Sequence, residues 1–220
     1  MTDTIYNEFQ DPTQQFLTEP RAFCYDLATQ LISAAKDEAA DNWYDHIKTT
    51  KAILLLLFTW NFAARETKKL KIEDVGNLIR KSRDQLKFLG QFSIESVDDS
   101  AWAVIETVFS SFKTLLGQTG ASKALSLLNP QLFVMWDTAI RKRLKKELIP
   151  GIGNGEIPGN YVTFLKGVQR IIKEYRIPEK LPQGSIIAKK IDEYHYVRII
   201  MQKNTAQQFI PDRRRGSGST

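Results

Sequence analysis

Residues 52–62 read AILLLLFTWNF, and this run is apolar on nearly every side of a helix. A helix with no polar face has to be covered all round. The spacing therefore predicts a helix from about Asp45 to Arg65 in the middle of a domain, with the other elements packed around it. The longest unbroken apolar run, Ala52 to Trp60, is far shorter than the ~20 residues a membrane span needs, so no membrane association is expected. Asn61, polar directly after the run, becomes a candidate for hydrogen bonding to a ligand.

Other segments supply the covering layer. Residues 1–19 carry few periodic apolar positions and are expected to form an irregular lead-in. Pro20 opens a helix to about Ala39, because a proline lacking an N–H is tolerated in the first turn. Phe23, Leu27, Leu31 and Ile32 recur on it at helical spacing. A third helix starts at Ile72, with Val75, Leu78, Ile79, Leu86 and Leu89 on one face and Gly90 as its stop. Ser96, Asp98 or Asp99 can cap the next, whose stripe is Trp102, Ile105, Val108, Phe109, Phe112 and Leu116. Two more helices, Tyr161 to about Tyr175 and Ser185 to about Lys203, close the chain. No segment alternates with a period of two. The expected fold is all-α, with residues 20–210 as a single domain of one or two lobes and 211–220 as a flexible tail.

The charge is +6 over 220 residues, part of it in the tail at Arg213, Arg214 and Arg215. The mildly basic remainder is compatible with nucleic acid, and its placement matters more than its sum. A lone cysteine, Cys24, excludes a disulfide within the chain and is expected to be a buried apolar thiol. The first 20 residues do not read as a signal peptide, so a cytoplasmic location is expected, at the nucleoid if the source is prokaryotic. His46 and His195 stand far apart with no ligand partners at metal spacing, so neither a metal nor a cofactor is expected.

Chemistry concentrates between Thr119 and Leu144, TGASKALSLLNPQLFVMWDTAIRKRL. Gly117 and Gly120 bracket a tight turn, followed by a short helix with Lys123 and a Leu-Asn-Pro break. An apolar crossing, Leu132 to Trp136, leads to Asp137 at the head of a helix carrying Arg141, Lys142, Arg143, Lys145 and Lys146. The turn and the basic helix suit phosphate: hairpin amides and a helix N-terminus attract anions. Asp137 also suits a helix N-cap. The Gly-rich stretch 150–159 mimics part of a nucleotide-binding fingerprint, but no strand precedes it.

Leu116-Gly117-Gln118-Thr119-Gly120-Ala121-Ser122-Lys123-Ala124, followed by Val134-Met135-Trp136-Asp137-Thr138-Ala139-Ile140-Arg141, resembles the paired motif of the helix-hairpin-helix DNA glycosylases. Archaeal 8-oxoguanine glycosylases are a divergent branch with comparable departures from the family pattern, and phage-defence glycosylases acting on hypermodified bases are another neighbour. The resemblance implies a multi-helix glycosylase-like fold with a helix-hairpin-helix motif. It also implies excision of a damaged or modified base from double-stranded DNA by a monomer, with or without strand-cleaving lyase activity. Asp137 would stabilise positive charge on the sugar. Lys123 would be the amine nucleophile, or Ser122 would occupy its slot, since one residue turns a helix by ~100°. Gly117, Thr119, Gly120, Ser122, Arg141, Lys142 and Lys145 would hold the DNA backbone, and Trp60, Asn61 and Trp136 would form the pocket for an extruded base. Gln118 stands where the family has a hairpin glycine, and Ala139 where it has a histidine. The alternative reading is a non-catalytic DNA-binding protein on the same scaffold.

Overall fold

The computed structural model describes residues 5–60, 70–148 and 161–201, the side chains of 145–148 excepted. The described residues are all-helical, with no strand among them. The α-helices are α1 (Thr13–Phe16), α2 (Pro20–Ala39), α3 (Ile47–Trp60), α4 (Ile72–Lys81), α5 (Arg83–Leu89), α6 (Asp99–Leu128), α7 (Thr138–Leu148), α8 (Tyr161–Glu174) and α9 (Ile187–His195). A π-helical turn, Tyr196–Met201, continues from α9.

Helix α3 sits between α2 on one side and α4 and α6 on others. Ala52, Ile53, Leu56 and Leu57 on it are inaccessible to solvent, while Phe58 remains half exposed. The covering is thus incomplete on one face. Helix α2 begins at Pro20, as its sequence predicts, but its inward stripe is Ala22, Tyr25, Ala28, Ile32 and Ala35. Phe23 is 71% exposed and Leu27 faces solvent too. The small residues are the physical reason: alanines on the contact face let α2 lie close along α3, which turns the bulky neighbours outward. Cys24, next to Phe23, is only half-buried.

The predicted third helix is broken at Ser82 into α4 and α5, and α5 ends before Gly90. Asp98 caps α6, its Oδ1 accepting the amides of Ser100 at 3.0 Å and Ala101 at 3.1 Å. The glycine turn is tighter than the sequence suggests. Gly117 alone leaves helical geometry, at φ 70° and ψ 171°, a region open to glycine and almost nothing else. The chain resumes the helix at once, so Gly120 is a helical residue, packed against Leu116 and Leu57. The expected hairpin is a one-residue bend in α6.

The lead-in belongs to the core. Tyr6, Phe9 and Phe16 are buried. Tyr6 Oη lies 2.7 Å from Nε2 of His195, the Tyr194 hydroxyl donates to the Ile5 carbonyl, and Phe9 packs on the Tyr194 ring at 4.5 Å. Lys190 pairs with Asp11 at 3.1 Å. Residues 1–19 read as irregular because their aromatics follow no helical period; Ile5, Tyr6, Phe9 and Asp11 are held by α9 instead.

His195 is wholly buried, and this pushes its imidazole down to about 3. It therefore stays neutral when folded, whereas in the unfolded chain it takes up a proton near 6.5. Between those values the unfolded state binds more protons, so this residue makes stability rise with pH. Wild type should gain on His195→Gln by up to ~1.4 kcal/mol per pH unit between about pH 4 and 6.5, measured by chemical denaturation. A gap that stays constant across that range would show that the ring titrates normally.

Candidate active site

The crossing before α7 has no helix or sheet to satisfy its backbone, yet Leu132, Phe133, Val134, Met135 and Trp136 are all buried. Buried peptide groups need partners. Here side chains supply them. Tyr161 Oη donates to the Val134 carbonyl at 2.6 Å, Asp192 accepts the Met135 amide, and Ser122 Oγ accepts the Trp136 amide at 2.9 Å. Arg141 donates to the Trp136 carbonyl at 3.0 Å and to Thr138 Oγ1 at 2.8 Å.

These bonds correct three expectations. Ser122 is fully buried, and its hydroxyl also donates to the Thr119 carbonyl at 3.1 Å, so it is a brace for the crossing and offers nothing to a DNA backbone or a sugar. Trp136 is likewise fully buried, among Phe109, Tyr161 and Phe164, and presents no face to a base. Arg141 is 8% exposed and turned back on the chain, its guanidinium 5.3 Å from the Trp136 ring. It lines the cleft as a wall and does not project from the surface like a phosphate hook.

The crossing delivers Asp137 to the cleft, half-buried at the N-terminus of α7. Its Oδ1 accepts the Ile140 amide at 2.9 Å, so the residue is a helix cap as well as a cleft carboxylate. The bend at Gly117 delivers Lys123. Its side chain is 5% exposed, and Nζ donates to the main-chain carbonyl of Trp60, at the end of α3, 5.8 Å from that residue's ring. Burial is the main influence on this amine and drives it down to about 8; Asp137 opposes the shift and Arg21 adds to it. About a tenth of it is thus uncharged at pH 7, against well under a thousandth for an ordinary lysine.

Two cavities meet at these residues. The outer one, about 510 Å³, is lined by the bend (Gly117, Gln118, Thr119, Gly120), by Thr138, Ala139 and Arg141, and by Trp60, Lys123 and Asp137. The inner one, about 180 Å³, is walled by Phe16, Trp60 and Tyr196 and again reaches Lys123 and Asp137. Of the expected site, Asp137, Lys123, Trp60, Gly117, Thr119 and Gly120 come together. Lys142 is exposed on α7. Asn61, the Lys145 side chain and the glycine-rich stretch 150–159 lie outside the described residues.

The inner cavity also holds groups that the sequence reading missed: Arg21, Lys189, Asp192 and Glu193. Lys189 Nζ sits 3.6 Å from Glu193 and 3.4 Å from the centre of the Tyr25 ring. Asp192 is buried, which pushes its carboxyl up to about 8 against the pull of Lys189. The signal was present in α9. Ala188, Ile191, Asp192 and His195 form one inward stripe at helical spacing, and a carboxylate within an apolar stripe is a buried charge in want of a reason.

Among the described residues no group of three or more His, Cys, Asp or Glu is placed to hold a metal ion, and no helix is long and apolar enough to cross a membrane. No family model, curated protein or solved structure matches the chain.

The displaced amine makes its own mark on stability. Between about pH 8 and 10.5 the unfolded chain retains a proton that folded Lys123 has shed, so wild-type stability rises with pH there. Lys123→Met lacks this contribution. Its stability relative to wild type should fall by roughly 2 kcal/mol between pH 7.5 and 10 in denaturant titrations. An unchanged difference would mean that the pocket accommodates the ammonium ion freely.

Proposed function

We propose that this chain is a DNA glycosylase of the helix-hairpin-helix kind, using Lys123 as an amine nucleophile and Asp137 as its carboxylate partner. One observation carries the reading: a buried amine with a lowered affinity for protons and a capping carboxylate line the same two joined cavities. Spacing alone left Ser122 and Lys123 in competition for one slot. The full engagement of Ser122 with the crossing supports Lys123.

The chemistry follows from the cavities. The outer cavity is wide and open beside the bend and the basic helix, which suits a sugar and its flanking phosphates. The inner one is small, with the rings of Phe16, Trp60 and Tyr196 on its wall and charged side chains beside them, which suits a base turned out of the stack and read at its polar edge. Neutral Lys123 attacks C1′ of the deoxyribose. The C1′–N bond to the base breaks, and the base leaves with the bonding electrons and gains a proton. The new C1′–N bond to lysine starts as a charged amine, whose proton passes to Asp137. Opening of the sugar ring then breaks the C1′–O4′ bond, O4′ takes the proton from Asp137, and the protonated imine left between C1′ and the lysine is reduced by borohydride to a stable amine. Asp137 also stabilises the positive charge that builds on the sugar before bond formation is complete.

The test uses duplexes that each carry one modified base, incubated with and without borohydride. Wild type should release free base from one of them and form a protein–DNA adduct in borohydride. Lys123→Gln should abolish the adduct, and Asp137→Asn should slow base release by ~10²–10³-fold. Base release without an adduct would remove Lys123 from the chemistry. Binding that weakens steeply with salt, with no base released from any duplex at stoichiometric protein, would instead establish a non-catalytic DNA-binding protein.

A further inference from the structure

Arg21 enters the site from α2 with its charge and position fixed. Its Nε donates to Glu19 Oε1 at 2.8 Å, and its terminal nitrogen donates to the Tyr196 hydroxyl. That hydroxyl in turn donates to Glu19 Oε2 at 2.9 Å, which closes a ring of three side chains from opposite ends of the chain. The Arg21 carbonyl accepts the indole N–H of Trp60 at 2.9 Å. The guanidinium lies 5.9 Å from the centre of the Trp60 ring, and Lys123 Nζ lies 5.8 Å from the same ring.

A surface ion pair between Glu19 and Arg21 would need none of this. The pair is instead drawn into the wall of the inner cavity, locked by an aromatic hydroxyl, and set against the tryptophan that also receives the lysine. We propose that Arg21 is a positioning residue for Lys123: a fixed cation that shares the Trp60 ring with the amine, disfavours its ammonium form and so raises the share that is neutral and nucleophilic. The catalytic meaning of this role rests on the glycosylase reading; the role itself does not.

The other groups around Lys123 are accounted for. Asp137, at the start of α7, favours the ammonium, as a nearby negative charge must, and Asp192, on α9, does so only in its ionised form, which burial disfavours. Lys189 and Glu193 line the same inner cavity and are paired with each other. Helix α3 contributes the Trp60 carbonyl, an acceptor that the amine can meet whether charged or neutral. Burial disfavours the ammonium, and Arg21 is the neighbouring charge that acts in the same direction. Glu19 keeps the guanidinium charged, so its influence does not switch off with pH.

The test needs no DNA. Lysines of the whole chain are methylated with formaldehyde and a borohydride-type reductant at a series of pH values, and Lys123 is read by mass spectrometry. Only the neutral amine reacts, so the profile reports its proton affinity. In Arg21→Met the half-maximal pH for Lys123 should rise by roughly 0.5–1 unit, with other lysines unmoved. Arg21→Lys, which keeps a cation there, should restore most of the wild-type profile. If Arg21→Met does not fold, Arg21→Gln keeps a hydrogen bond to Glu19 and answers the same question. An Lys123 profile identical in wild type and the folded uncharged variant overturns the proposal. A shifted profile together with no adduct on any modified duplex leaves Arg21 its role and removes the glycosylase. An unshifted profile with adduct formation does the reverse.

Discussion

A lysine amine buried to 5% exposure is the constraint on which the site depends. Taking an ammonium ion out of water is costly, and the chain answers by shedding the proton readily, by donating to the Trp60 carbonyl, and by placing Asp137 nearby. Each answer fixes a separate element. The carbonyl ties α6 to the end of α3. The carboxylate faces it from the head of α7 across the cavity that both line. The bend at Gly117 lets a helix that starts at Asp99 turn beside the cleft and still carry Lys123 inward. Without that bend a straight α6 would direct its second half elsewhere.

A second dependency runs through the irregular crossing, residues 132–136. It carries buried backbone through the core without regular structure, which the fold permits because four side chains take over the work of water. Asp192 shows how the two demands intersect: it holds the Met135 amide and also lines the inner cavity. Replacing it would disturb the floor of the site and the strand of chain that delivers Asp137 together. Loss of activity in such a variant would not separate the two causes.

Much of the scaffold could be read from periodicity alone. The Pro20 start, the Asp98 cap, the break after Leu128 and the buried heart of α3 all follow local rules of spacing and capping. The site was legible where a residue's role depended on sequence neighbours: Asp137 opens α7, and the glycine at 117 bends the chain. It was illegible where the role depended on partners far along the chain. Trp136 reads as a base-stacking tryptophan until Phe109, Tyr161 and Phe164 are seen around it. Ser122 and Arg141 look like polar groups free to meet a ligand, but a backbone 14 and 5 residues away claims them. Arg21, Lys189 and Tyr196 gave no local sign of converging. Phe23 misled for a simpler reason: alanines took the contact face that its bulk seemed to demand.

The inner cavity is walled by Phe16 near one end of the described chain and Tyr196 near the other. During synthesis on the ribosome, α2 and α3 emerge and can pair long before α9 exists. The aromatic pocket then has only half its lining, and the Tyr6 hydroxyl waits for a histidine 189 residues downstream. The nascent chain thus carries an apolar half-site and a Glu19–Arg21 pair without its Tyr196 lock until translation has passed that residue. Maturation of the site therefore waits for α9 and the turn that follows it, and a chain lacking them leaves Phe16 and Trp60 without the Tyr196 side of their wall.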